Sequence, residues 1–222
     1  MDRRVEPELL DTAPAAEAVE NLRDLVRINR WLGGHWLLPR LLSTIASPGE
    51  PLRVLDVGAA SGDMGAAVRR RFPRAVVVSV DRSARNLAAA PAPKAVADAF
   101  ALPFSRGSFD VVTACLLFHH FEEPAAAAIL REMARVARRG VVVLDLWRHP
   151  VAHRFLPATR WLLRWRPLTV HDGTRSVAAG FRTEEMLRLG ERAGLDRVCV
   201  RRHLPWFRIS LVARAGEGNL LL

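Results

Sequence analysis

The chain has 222 residues, half of them hydrophobic, enough for one α/β domain with short additions and too short for two sizeable independent ones. Its 33 Lys and Arg against 23 Asp and Glu give a formal charge of +10, which on its own would suggest a nucleic-acid partner. Lys94 is the only lysine, however, and tyrosine and glutamine are absent, so the charge reflects a compositional bias toward alanine and arginine and argues against that reading.

In chain order, apolar residues at helical spacing from Pro14 to Leu32 (Ala18, Leu22, Leu25, Ile28, Leu32) predict an amphipathic helix that Gly33-Gly34 stops. A second short helix over Trp36–Ile45 ends in the turn formers Ser47-Pro48-Gly49-Glu50-Pro51. Residues 1–50 are thus expected to be a helical cap, and residues 51–222 the main domain. There strands and helices alternate: strand Leu52–Val57, helix Gly62–Arg71, strand Ala75–Val80, helix Ser83–Ala89, a weak strand Ala95–Ala97, strand Phe109–Ala114, helix Pro124–Ala137 and strand Gly140–Leu146. After an insert at about 147–181, Thr183 is expected to cap a helix to Ala193, followed by two strands with no helix between them, Arg197–Arg202 and Trp206–Arg214. This pattern predicts an α/β fold: a seven-stranded, mostly parallel sheet with helices on both faces, a C-terminal antiparallel hairpin and the N-terminal cap.

Apolar runs such as Val141–Leu144 are strand length, short of the roughly 20 residues a membrane-spanning helix needs. Met1–Asp11 mixes acids with arginines and lacks the apolar stretch of a secretory signal, so a cytoplasmic location is expected. Cys115 and Cys199 sit in apolar strand-like runs as small buried hydrophobes, and neither a disulfide framework nor a metal site is expected.

The stretch carrying most chemical information is Val54-Leu55-Asp56-Val57-Gly58-Ala59-Ala60-Ser61-Gly62-Asp63, an acid at a strand end and a glycine-containing turn before a helix. Gly58 and Gly62 permit tight turning and close backbone approach, and the helix start presents free amides, so a nucleotide-like ligand belongs here. The dinucleotide fingerprint G-x-G-x-x-G does not fit, because positions 60 and 61 are alanine and serine. Asp56 is unfavourable for a pyrophosphate and suits a ligand with an ammonium group.

This segment resembles the first motif, E/D-x-G-x-G-x-G, of class I S-adenosylmethionine (SAM) dependent methyltransferases, with Ala60 in place of the middle glycine. Val78-Ser79-Val80-Asp81 is similar to the second motif, and Ala97-Asp98-Ala99-Phe100 with Leu102-Pro103-Phe104 to the adenine loop. Phe109-Asp110-Val111-Val112 through Leu116-Leu117-Phe118-His119-His120-Phe121 resembles the fourth strand and its loop. The resemblance spans about Pro51–Arg214 and looks closest to the ubiquinone-biosynthesis-like group. It implies SAM as cofactor, held by Asp56, Gly58, Ala59, Ala60, Ser61 and Gly62, by Asp81 and Arg82 at the ribose, by Asp98, Ala99 and Phe100 at the adenine, and by Cys115 and Leu116 near the methionine. Asp81 also suits a cap for the helix near Ser83.

His119 and His120 are candidate general bases, and as neighbours in an extended segment they are expected to point to opposite sides. His149 and His153 have helical spacing but no third metal ligand in view. In the insert, Trp161 and Trp165 stand one helical turn apart among Arg154, Arg160, Arg164 and Arg166. That pattern fits core, a cover over a lipophilic substrate, or peripheral contact with a membrane surface. The run His171-Asp172-Gly173-Thr174-Arg175 is expected to be a polar turn. The acceptor is expected to be small and apolar or aromatic, touched by Trp31, Trp36, Phe118, Trp147, Trp161, His171 and Arg175, with O-methylation favoured over C-methylation. The alternatives are an RNA methyltransferase, against which the absence of an Asn-Pro-Pro-Tyr-like motif after the fourth strand counts, and a non-catalytic SAM-binding subunit. The residues carry no signal for an oligomeric state.

Overall fold

The computed structural model describes residues 2–11 and 13–214. Seven strands, β1 (Leu52–Val57), β2 (Ala75–Asp81), β3 (Lys94–Val96), β4 (Phe109–Cys115), β5 (Ala137–Leu146), β6 (Val198–His203) and β7 (Arg208–Arg214), form one sheet in the order β3-β2-β1-β4-β5-β7-β6. β1 to β5 pair in parallel; β7 runs antiparallel to β5, and β6 to β7. The described helices are α1 (Ala15–Trp31), α2 (Gly34–Leu42), α3 (Asp63–Arg71), α4 (Ala84–Leu87), α5 (Glu123–Val136), α6 (Pro150–Leu163), α7 (Pro167–Ala179) and α8 (Thr183–Arg192), with 3-10 turns at Leu9–Asp11 and Phe118–His120. The α/β sheet with a terminal hairpin is the fold the alternation predicts.

The central strands are apolar on both faces because both faces are covered. Along β1, Leu52 and Val54 point into one core with Leu38, Leu42, Met64 and Phe72, under α2 and α3. Leu55 and Val57 point into the other with Ile129, Leu130, Met133, Met186 and Leu189, under α5 and α8. α2 therefore completes a helical layer of the sheet. A third cluster, Ile28, Leu156 and Trp165, ties α1 to the segment after β5.

Several local expectations need correction. β5 begins at Ala137, directly after α5, because the Arg139 guanidinium bonds the Ile45 carbonyl and Glu50 while Arg138 pairs with Asp110, which extends the strand beyond its apolar part. The cap of α8 is Arg182 rather than Thr183: Glu185 reaches back to accept the Arg182 backbone N–H at 2.7 Å. His171–Arg175 is no turn but part of α7. α6 ends at Leu163 with Arg164 in a left-handed conformation (φ 53°), which turns Trp165 inward to 4% exposure while Trp161 stays 82% exposed, so the two share no face. His149 is the N-cap of α6, its Nδ1 accepting the Val151 N–H. Cys199 is exposed, since β6 is an edge strand, and only Cys115 is buried.

Candidate active site

The chain order makes β1 the switch point of the sheet: β2 and β3 lie to one side, β4 and β5 to the other. The crevice at the carboxyl ends of the strands opens between the loops after β1 and β4, the usual ligand position in open α/β sheets. Gly58 (φ 70°) and Gly62 (φ 74°) adopt left-handed backbone, and so does Ala60 (φ 45°) where the motif has its middle glycine. A Cβ on Gly58 would come within 2.9 Å of Leu117 Cδ1, so these two loops face each other.

Asp81, at the end of β2, accepts the Ala60 N–H at 2.9 Å on one carboxylate oxygen and the Ser83 N–H at 2.8 Å on the other. It thus orders the glycine loop and the start of α4 together, while each carboxylate oxygen keeps capacity to accept a further hydrogen bond. Beyond β3, the exposed Asp98 accepts the Phe100 N–H at 2.9 Å, and the Phe100 ring stands edge-on to Phe121. Ala99 packs against the core, Arg82 is exposed and Ser61 donates to Asp63.

Asp56 lies elsewhere than an ammonium partner would. It is 2% exposed beneath α3, accepts the Thr113 hydroxyl, and has Gly65 above it. Burial, helped by the nearby Asp63 carboxylate, pushes its carboxyl up to about 7. Cys115 is also buried, and burial pushes its thiol well above the usual range; Leu116 is half-buried with φ 55°.

After β4 the two histidines do not diverge. Because Phe118–His120 is a 3-10 turn and not extended chain, their rings lie 4.2 Å apart. His119 is buried; its Nδ1 bonds Asp145 at 2.7 Å, and Asp145, wholly buried at the end of β5, also accepts the Phe118 and Leu146 N–H groups. Glu8 Oε1 sits 3.7 Å from His119 Nε2 and 3.9 Å from His120 Nδ1, and accepts the Ser176 hydroxyl. Burial would lower the His119 pKa, but the Asp145 charge and bond and then Glu8 push it up to about 9. Burial would raise the Glu8 carboxyl, but His119, His120 and the Ser176 hydroxyl hold it at about 2.

The residues expected to touch an acceptor are spread more widely than the sequence suggests. Phe118 is completely buried in the main core and lines no cleft. Trp161 projects into solvent. His171 pairs with its neighbour Asp172, and Arg175 bonds the Pro7 carbonyl and Glu6, so this part of α7 holds the N-terminal segment; the Asp172 carboxylate also accepts the Leu9 and Leu10 N–H groups. Trp31 packs edge-on against Trp165, and Trp36 lies tilted against Trp206. Trp147, half-buried at the end of β5, stacks with Phe207 and His149.

Sequence reasoning missed a second group. Asn29 Nδ2 and His35 Nε2 both reach Asp63 Oδ2, at 3.1 and 2.7 Å, pinning the α1–α2 junction to the glycine loop. Arg208, wholly buried, donates Nε to the Leu32 carbonyl and lies within electrostatic reach of Cys115, Asp145 and Asp63, with Nη1 lacking a partner among the described residues. An unpaired buried guanidinium nitrogen at the meeting of the β4 end, β5 end and glycine loop fits the carboxylate of an amino-acid-bearing nucleoside. A cavity of about 200 Å³ lined by Arg53, Phe109, Asp110 and Arg138 opens at the start of β4, the opposite end of the sheet from these loops.

Residues 54–140 match the family model described as a methyltransferase domain. The chain is 36% identical over 106 residues to a demethylmenaquinone methyltransferase of Thermus thermophilus (43% of this chain, 47% of that one). It is 36% identical over 91 residues to a malonyl-[acyl-carrier protein] O-methyltransferase of Geobacter sulfurreducens (37% and 34%). The chain thus spans about half or less of the length of the curated relatives it matches. A SAM-dependent methyltransferase from Aquifex aeolicus superposes with a TM-score of 0.61 at 15% identity, covering 91% of this chain and 98% of that one. Human N-acetylserotonin methyltransferase solved with SAM gives 0.64 at 13%, covering 91% and 57%. These two share the fold. Residues 54–140, which carry the glycine loop and the acids at the ends of β1 and β2, thus match the methyltransferase domain, and the chain as a whole shares the fold of class I SAM-dependent methyltransferases.

Proposed function

We propose that this chain moves the methyl group of SAM onto a small, apolar, hydroxylated aromatic acceptor, on oxygen first and on an adjacent ring carbon as the nearest variant. The observation that carries the reading is the Ala60 amide held by Asp81 at the switch point of the sheet, inside the stretch that matches the methyltransferase domain. Asp81 takes the ribose hydroxyls with its remaining lone pairs, Asp98 and Phe100 take the adenine, and Arg208 Nη1 takes the methionine carboxylate. Bound there, SAM supplies an electrophilic sulfonium methyl group. The protein's own contribution is alignment and exclusion of water: Leu117 lies over Gly58, and Trp147 with Phe207 walls the neighbouring β5 end. His119 and His120 stand where an acceptor oxygen is to be held.

The C-methylation reading is favoured by one observation: the relatives include demethylmenaquinone methyltransferases and a ubiquinone/menaquinone biosynthesis C-methyltransferase. Isotope-labelled methyl transferred to phenolic and quinol acceptors, located in the product by mass spectrometry and NMR, distinguishes oxygen from carbon. Calorimetry should show SAM binding that Asp81→Asn weakens by about 1.5–3 kcal/mol, since one charged acceptor is lost. No binding by the unaltered chain sinks the proposal; binding without turnover on any acceptor favours a non-catalytic subunit, and methylation of RNA alone overturns the small-molecule reading.

A further inference from the structure

We infer that Glu8, His119 and His120 form a site for a divalent transition-metal ion of the zinc type beside the acceptor position. Among the described residues they are a set of three whose ligand atoms lie within 4.8 Å of one another, with His119 Nε2 3.7 Å and His120 Nδ1 3.9 Å from Glu8 Oε1. An ion about 2.0–2.1 Å from each donor in tetrahedral geometry holds them roughly 3.4 Å apart, so each histidine needs to approach Glu8 by only a few tenths of an ångström, and the two imidazole nitrogens, within 4.8 Å of each other, converge by no more than about 1.4 Å. Two imidazoles and one carboxylate are the donor set of catalytic zinc centres, which leave a position open. The support behind the donors is also present. His119 Nδ1 is anchored on the buried Asp145 carboxylate, leaving Nε2 aimed at Glu8, the carboxylate–histidine arrangement that fixes the tautomer of a metal-bound imidazole. Glu8 is delivered by a segment clamped along its length: Arg3 bonds the Phe121 and Ala179 carbonyls, and the Leu9 and Leu10 amides sit on Asp172. His120 is partly exposed, giving the ion an entry path.

The consequence for chemistry rests on the proposed function. An acceptor hydroxyl in the open position gives up its proton to water more readily when ligated to the ion, and the oxyanion so formed takes the methyl group. Binding itself does not depend on that reading.

The test is titration of the chelator-treated full chain with zinc, followed by calorimetry, and with cobalt, followed by its visible absorption. We expect one ion per chain, with Glu8→Gln and His120→Asn each weakening it about 10- to 100-fold while SAM affinity stays within about 3-fold. Magnesium, which prefers oxygen donors, should bind far more weakly. Absence of one-to-one binding overturns the site, as does equal binding by the two variants. Both side chains are at least partly accessible, so circular dichroism serves to verify that the variants fold. A chain that binds zinc and not SAM refutes the proposed function and leaves the metal site standing.

A separate observation concerns α6. Trp161 and Leu162 are both 82% exposed, Val151 is exposed on the same helix, Arg154 and Arg160 lie on it and Arg164 caps it, and it carries no acid. The geometry points to an anionic lipid surface as the occupant: arginines meet the headgroups and the Trp–Leu pair enters the interface. Co-sedimentation with vesicles of phosphatidylglycerol and phosphatidylcholine should retain the chain, pure phosphatidylcholine should not, and Trp161→Ala with Leu162→Ala should weaken retention about 10-fold or more. Equal retention on neutral vesicles, none on either, or a dimer in sedimentation that the same double substitution dissolves would each overturn it.

Discussion

Replacing Asp56 with asparagine should change how stability depends on pH. The carboxyl is held near 7 in the fold against an ordinary 3.8, a gap of about 3 pH units, which at ~1.4 kcal/mol each amounts to about 4 kcal/mol. Because the folded value is the raised one, the chain is free of the penalty below about pH 4, loses stability as the pH climbs toward 7, and carries the full cost above it. Asparagine keeps the oxygen that accepts the Thr113 hydroxyl and cannot ionise. Its amide replaces Oδ2, which is buried without a partner among the described residues, and brings two N–H donors where the neutral acid has one O–H, the additional unmet donor costing about 1–3 kcal/mol. The variant should therefore be less stable than the parent near pH 4 and more stable near pH 9, the two curves crossing between. Urea unfolding across that range, read as the difference between variant and parent, isolates Asp56 from every other titrating group. Parallel curves would mean that Asp56 is ionised throughout, and the burial argument would fail.

Ala60→Gly should raise stability by up to about 1 kcal/mol, because left-handed backbone costs alanine roughly 1–2 kcal/mol and the freer unfolded chain returns part of that; an unchanged or lower Tm would contradict it. Gly58→Val combines a φ of 70° with a close contact to Leu117 and should lower both Tm and SAM affinity, measured by calorimetry; normal affinity would move the cofactor away from this loop. Trp165→Ala should cost about 3–5 kcal/mol in urea unfolding and Trp161→Ala less than about 0.5, a contrast that equal losses would refute.

How far the residues alone could be read follows the range of the interactions involved. The parallel core of β1, β2, β4 and β5 was legible because strands covered on both faces are apolar throughout, and the glycine loop because backbone conformation is written locally in Gly58 and Gly62. Local punctuation misled where tertiary contacts overrode it. His171-Asp172-Gly173 looks like a turn, yet Asp172 is buried beneath the N-terminal segment and the stretch is helical. The periodicity linking Trp161 to Trp165 is broken by the conformation of one residue, Arg164. Glu8 carried no signal, since its partners lie more than a hundred positions away. Asp145 did carry one, an acid closing the run Val141-Val142-Val143-Leu144, and such a charge in a buried strand asks for a partner that here is His119.

The antiparallel hairpin that ends the sheet also decides what its border offers to other chains. β6 is the outermost strand on that side and carries Arg201 and Arg202 exposed, so a second copy laid antiparallel against it would set guanidinium against guanidinium. At the far border β3 is three residues long and carries Lys94, too little backbone to template a neighbour. Extension of the sheet from molecule to molecule is thereby discouraged at both ends, and self-association of this chain is steered toward its helical faces.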